Sequence, residues 1–156
     1  MTMELSVSHL AVHPEALPVL AEWFRGEWPS WYGPGGAGVA EEDLLAYSNE
    51  CGLPLGVVIF CDGALSGVAA LKANSIPSHS HLSPWAAAGF VLPSLRGRGI
   101  GAALLSALEV EAKALGYKQI YCGTSSAGSL LQRAEWCFVE TVQLQGKAVS
   151  IYEKAL

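Results

Sequence analysis

The sequence is poor in charge, and poorest in positive charge. Charged residues make up 15% of its 156 residues, with nine Lys and Arg against fourteen Asp and Glu. A net charge of −5 leaves no basic face of the kind nucleic acid requires, so nucleic acid is not expected as a partner. Long apolar runs are also missing. The longest, such as Leu53 to Cys61, are too short to span a bilayer, and no membrane partner is expected. Met1-Thr2-Met3-Glu4 lacks a basic segment and a long apolar core, so no signal peptide is expected. Cys51, Cys61, Cys122 and Cys137 show no C-x-x-C spacing. The last three lie in apolar, strand-like segments and read as buried thiols of a cytoplasmic protein rather than disulfides or zinc ligands. A 51% apolar content excludes general disorder. The length suits one domain, residues 1–156, with no linker or internal repeat to divide it.

The chain is organised around the stretch from Pro84 to Gly116. Pro84 to Pro93 is an apolar run closed by proline, the pattern of a short buried strand. From Ile100 onward, Leu104, Leu108, Ala112 and Leu115 recur at helical spacing and define one apolar face. Glu109 and Lys113 are spaced to pair on the outer side, and Gly116 stands where a left-handed cap belongs. Between strand and helix lies Arg96-Gly97-Arg98-Gly99-Ile100-Gly101, which holds two of the chain's four arginines. Glycines admit close backbone approach. The first turn of the helix carries N–H groups without partners and the positive end of the dipole. Such a loop can cradle phosphate, and Arg96 and Arg98 add suitable donors. Without a ligand it would be only a tight strand-to-helix connection.

Three phosphate-binding patterns compete for this loop. G-x-x-x-x-G-K-[ST] is absent. Gly97-x-Gly99-x-x-Ala102 satisfies the dinucleotide fingerprint, but the next strand, Gln119 to Thr124, lacks the acid that this reading requires. The third is Arg-x-x-Gly-x-Gly, matched by Arg96, Gly99 and Gly101. Together with Pro84-Trp85 and the Val91-x-Pro93 strand ending, it resembles the GNAT superfamily of acyl-CoA-dependent N-acetyltransferases. In that family the loop binds the pyrophosphate of acetyl-CoA.

The element order extends the resemblance to the whole chain. Strands are expected at Leu5–Leu10, Leu53–Phe60, Ala64–Ala73, Pro84–Pro93, Gln119–Thr124, Cys137–Leu144 and Ala148–Tyr152. Helices are expected at Pro14–Trp28, Ala40–Ser48, Ala102–Leu115 and Ser129–Glu135, the last with Ser129 or Ser126 as the cap near its start. Asp62-Gly63 and Gln145-Gly146-Lys147 mark hairpins, and Ser30 to Gly38 reads as a mobile glycine-rich loop. The resemblance implies an α/β (α+β) fold. Its sheet would be mixed and mostly antiparallel, with about seven strands and about four flanking helices. The fourth and fifth strands would splay, leaving a gap for the pantetheine arm of acetyl-CoA. Phe90, Val91 and Leu92 would pair with that arm as another strand would. Arg96, Gly97, Arg98, Gly99, Ile100, Gly101 and Ala102 would hold the pyrophosphate. Ser126, Ser129 and Leu130 would flank the thioester end.

Family members often place a tyrosine in the helix after the fifth strand. Leu131 stands at that position here, and Glu135 stands where a glycine would follow. The usual general acid is therefore missing. Tyr152 and Tyr121 are substitutes by chemistry alone, and each reads first as a half-buried strand tyrosine. His79 and His81 precede the central strand and would lie on one side of an extended chain. They could take a proton from an amine or be simple loop histidines. No third ligand has metal-site spacing, so no metal is assigned.

In the family, the first two helices and their loop cover the acceptor. That region holds Trp23, Phe24, Trp28, Trp31 and Tyr32, with Glu22, Glu27, Glu41, Glu42, Asp43 and Glu50. Aromatics with carboxylates suit a cationic amine, although Phe24 and Trp28 also fit a core and the acids a solvated face. Trp28, Trp31, Tyr32 and Glu27 are the candidate acceptor residues, for a small-molecule or peptide amine. A non-catalytic acyl-CoA-binding module and a nucleotide-binding oxidoreductase fragment are the competing classes. A homodimer is left open.

Overall fold

The computed structural model describes residues 3–156. Its strands are β1 (Leu5–His9), β2 (Leu55–Cys61), β3 (Ala64–Lys72), β4 (Trp85–Val91), β5 (Gln119–Thr124), β6 (Cys137–Leu144) and β7 (Lys147–Ala155). Its α-helices are α1 (Leu17–Glu27), α2 (Pro29–Tyr32), α3 (Ala40–Ala46), α4 (Ile100–Ala114) and α5 (Gly128–Arg133). The strands form one sheet in the order β1-β2-β3-β4-β5-β7-β6. All neighbours are antiparallel except β4 and β5. This is the mixed, mostly antiparallel seven-stranded sheet expected. Among the described residues there are five α-helices rather than about four, because a single turn forms at Pro29–Tyr32 and overlaps the expected glycine-rich loop. Pro29 ends α1 and, with its φ already helical and no N–H to lose, starts the next turn.

Alternation within the strands sorts the core onto two faces. Val57 and Ile59 join Leu71, Ala86, Ile120 and the α4 residues Ile100, Leu104, Leu108 and Ala112. Val58, Val68, Ala70 and Phe90 face the other way, against Leu20, Ala21 and Phe24 of α1 and Leu44 of α3. Helices thus cover both faces of the central strands. The hairpin between β2 and β3 turns on Asp62 and Gly63, with φ of 51° and 85°, as a two-residue primed turn requires.

Two irregularities shape the functional region. The β3–β4 register shifts between Val68 and Ala70, opposite Ala88, whose φ is 54°. This is a bulge, and it bends β4. On its other edge β4 meets β5 only through Trp85–Tyr121 and Ala86–Cys122. Beyond Ala86 the two parallel strands part, as expected of the fourth and fifth.

Local expectations were corrected at four places. Glu109 does not pair with Lys113 among the described residues. It receives bonds from Lys154 Nζ at 2.9 Å and Trp136 Nε1 at 3.2 Å, fastening β7 and the segment between α5 and β6 to α4. The start of α5 is capped by neither Ser126 nor Ser129. Thr124 Oγ1 accepts from the amides of Ser126 and Ala127 at 3.1 and 2.8 Å. Cys137 is exposed, because β6 is the sheet's edge; Cys61 is buried and Cys122 partly so. His79 lies in a 3₁₀ turn, Pro77–His79, rather than in extended chain.

Candidate active site

The gap between β4 and β5 opens into a cleft of about 990 Å³. One wall is β4 from Ala86 to Val91. The loop Leu95–Ala102, apart from Arg98, forms one end. The opposite wall is Cys122–Ala127 with Ser129, Leu130, Leu131 and Arg133 of α5. Glu27 and Trp28, at the end of α1, reach it from the other face of the sheet.

The loop supplies free donors. Gly97 and Gly99 take φ of 80° and 84°, a left-handed region open to glycine without strain. Gly99 is the N-cap of α4, and Ala103 N–H makes the helix's first bond, to Gly99 O at 3.1 Å. The amides from Gly97 to Ala102 therefore have no hydrogen-bond partner among the described residues. They combine the unpaired donors of a helix start with the positive end of its dipole. Arg98 is exposed beside them, with no ion pair among the described residues.

The Arg96 guanidinium is already engaged by protein groups. Nε donates to Val91 O at 2.9 Å, Nη2 donates to Glu27 Oε2 at 3.1 Å, and the group lies 5.5 Å from the Phe90 ring centroid. Of Phe90, Val91 and Leu92, only Val91 presents main-chain groups to the gap. Leu92 N–H donates to Ser66 O at 3.0 Å, so Leu92 faces β3. Strand alternation puts Phe90 on that same edge and Val91 on the opposite one. Leu92 packs among the α1-side residues instead of lining the cleft.

The other predicted residues separate clearly. Ser126 and Ser129 line the cleft. Trp31 and Tyr32 do not. Tyr32 stacks on Phe24 at 5.5 Å and donates to Asp43 Oδ2 at 2.6 Å; burial and that carboxylate push its phenol well up from its ordinary value. Trp31 is exposed and packs over Gly38. Glu22 and Glu41 both hold Arg25. Of the acids near the first helices, Glu27 alone lines the cleft.

None of the candidate proton carriers, Tyr152, Tyr121, His79 or His81, lines the cleft. Tyr152 is buried, packs against Phe138 at 5.8 Å and lies beneath Gly128. Its tie to the site is mechanical, since it supports the start of α5. His81 is exposed, stacked on His79 at 5.7 Å, and His79 Nε2 is bonded to Glu140 at 2.8 Å. Leu131 is fully buried in the wall. No group of three or more His, Cys, Asp or Glu that could hold a metal occurs among the described residues.

Sequence reasoning missed Arg133 and Cys122 on the wall. Arg133 carried a signal as one of four arginines, on the helix named for the thioester end. Cys122 carried none, because its place depends on where β4 and β5 part. Burial pushes its thiol up to about 12, so it stays protonated and a poor nucleophile near neutral pH.

No curated protein matches the chain by sequence. Solved structures resemble it in fold. One is an aminoglycoside 6′-N-acetyltransferase complexed with coenzyme A, 15% identical, with 96% of each chain covered and a TM-score of 0.77. The aminoglycoside 6′-N-acetyltransferase from Enterococcus faecium is 16% identical over 96% of each chain, with a TM-score of 0.76. N-acetylglutamate synthase from Neisseria gonorrhoeae, complexed with coenzyme A and N-acetyl-glutamate, is 20% identical; 98% of this chain matches 35% of that one, with a TM-score of 0.69. The model of the acetyltransferase (GNAT) family matches residues 17–132, which include α1, the bulged β4, the glycine–arginine loop and most of α5. The chain belongs to that family.

Proposed function

We propose that residues 1–156 form one cytoplasmic N-acetyltransferase domain, which moves an acetyl group from acetyl-CoA to a primary amine. The observation that carries this is the run of unpartnered amides from Gly97 to Ala102 at the end of the β4–β5 cleft. These amides and Arg98 would hold the diphosphate. The Val91 main chain would pair with pantetheine amides. Ser126 and Ser129 would flank the thioester end. The neutral amine attacks the thioester carbonyl directly; the C–N bond forms as the C–S bond breaks. The amine's proton leaves to water, and the departing thiolate takes one from solvent. Positioning supplies most of the rate, since no proton-carrying phenol or imidazole lines the cleft. Glu27 and Trp28 favour a cationic acceptor, as carboxylate and aromatic face do together. The aminoglycoside acetyltransferases of like fold act on acceptors of that kind. Cytoplasmic placement is supported by four cysteines that are all free.

Leu131 favours a second reading, an acyl-CoA-binding module without turnover, because it removes the phenol its family relatives often carry. Release of CoA thiol from acetyl-CoA, measured against aminoglycosides, amino acids and peptide N-termini, separates the two. Amine-dependent release supports the transferase. Tight binding with no release from any amine supports the binding module.

A further inference from the structure

One guanidinium holds a carbonyl and a carboxylate at the mouth of the cleft. Arg96 rises from the same loop as the free amides but spends its donors on Val91 O and Glu27. The contact with Glu27 is single-point, and the two side chains are 49% and 35% exposed. Ion pairs of this kind are weak and readily exchanged. A diphosphate offers more charge and a geometry that the planar fork of Arg meets with paired bonds. Glu27, for its part, has no other partner among the described residues, whereas Glu22, Glu41 and Asp43 are held by Arg25 and Tyr32.

We infer that Arg96 couples donor to acceptor. Arg96 leaves Glu27 for the diphosphate when the CoA thioester binds, and the released Glu27 carboxylate then takes a cationic group of the acceptor. This rests on the transferase reading above. The same exchange frees Val91 O, a β4 carbonyl that faces the gap, for a pantetheine amide. Donor binding thereby raises the affinity of Glu27 for an acceptor cation. Before the donor binds, an acceptor cation meets a carboxylate already neutralised by the protein. The coupling is reciprocal, as linkage demands: an acceptor cation held on Glu27 releases Arg96 and strengthens donor binding.

Calorimetric titration with CoA of the wild type, Glu27→Gln, Arg96→Gln and the double variant tests this. Glu27 is partly exposed, and Gln preserves its shape. Glu27→Gln should tighten CoA binding about two- to fivefold, the range of a weak exposed pair. The tightening should vanish in the Arg96→Gln background. Unchanged or weaker binding by Glu27→Gln overturns the exchange. So does a tightening that persists without Arg96, which would mark a general effect of the lost negative charge. Either result leaves the transferase reading standing if the wild type binds CoA. Failure of the wild type to bind CoA overturns that reading itself.

Discussion

Cδ2 of Leu130 lies 3.3 Å from the point where a Cβ on Gly101 would stand. The first turn of α4 and the side of α5 are thus close enough that a Cβ here would press on Leu130. What distinguishes Gly101 is this neighbour and the free amides beside it rather than its backbone angles. The close approach places the amide-rich loop and the serine-bearing turn of α5 on opposite sides of one cleft.

Replacing Gly101 by Asp should therefore act twice. The new side chain pushes on Leu130, which can yield because it is the end of a flexible side chain. Its carboxylate also faces the donors meant for phosphate. We expect CoA affinity to fall at least about tenfold, or ~1.4 kcal/mol, while the fold is kept. Isothermal titration alongside a thermal melt checks both. Wild-type affinity in a folded variant would mean that the cradle is not the phosphate site.

Tyr152→Phe should leave kcat within about twofold, since an effective general acid or base contributes roughly 10²-fold or more. The phenol lies beneath Gly128 and outside the cleft lining. A pH–rate profile unchanged from the wild type is the accompanying expectation. A drop of a hundredfold would put the phenol in the reaction after all.

Stability should decline on the alkaline side. Burial holds the Cys122 thiol up at about 12 from an ordinary 9.0. Burial, then the Asp43 charge, holds the Tyr47 phenol up at about 12 from 10.0. Both groups keep their protons more firmly folded than unfolded. The stability this gives is fully present below about pH 9 and is lost as pH rises from there through about 12. Melting temperatures should fall across that window, and less steeply in Tyr47→Phe. Equal slopes would remove Tyr47 from the account.

Much of this architecture could be read from the chain because its signals are local. Asp62-Gly63 set a hairpin, Pro29 set a break, and Gly116 set a cap. At that cap the amides of Gly116 and Tyr117 bond Lys113 O and Ala112 O at 3.0 and 3.1 Å, as a Schellman end requires. The glycine–arginine loop was legible for the same reason. Glu135, placed by resemblance where a glycine would stand, does hold a glycine-like φ of 69°. What could not be read depends on long-range placement. The alternation that leaves only Val91 facing the gap follows from pairing with β3. The turn of Arg96 toward Glu27 joins residues 69 apart. Aromatic side chains in a Gly/Pro loop suggested an acceptor pocket, but Phe24 and Asp43 draw Tyr32 into the helix packing instead.

The most direct test is an amide-resolved NMR titration with CoA. The account predicts saturable shifts centred on the amides of Gly97, Gly99, Ile100, Gly101 and Ala102, with a second set at Val91. Saturable binding whose shifts leave those amides unmoved, or no binding at all, would contradict it.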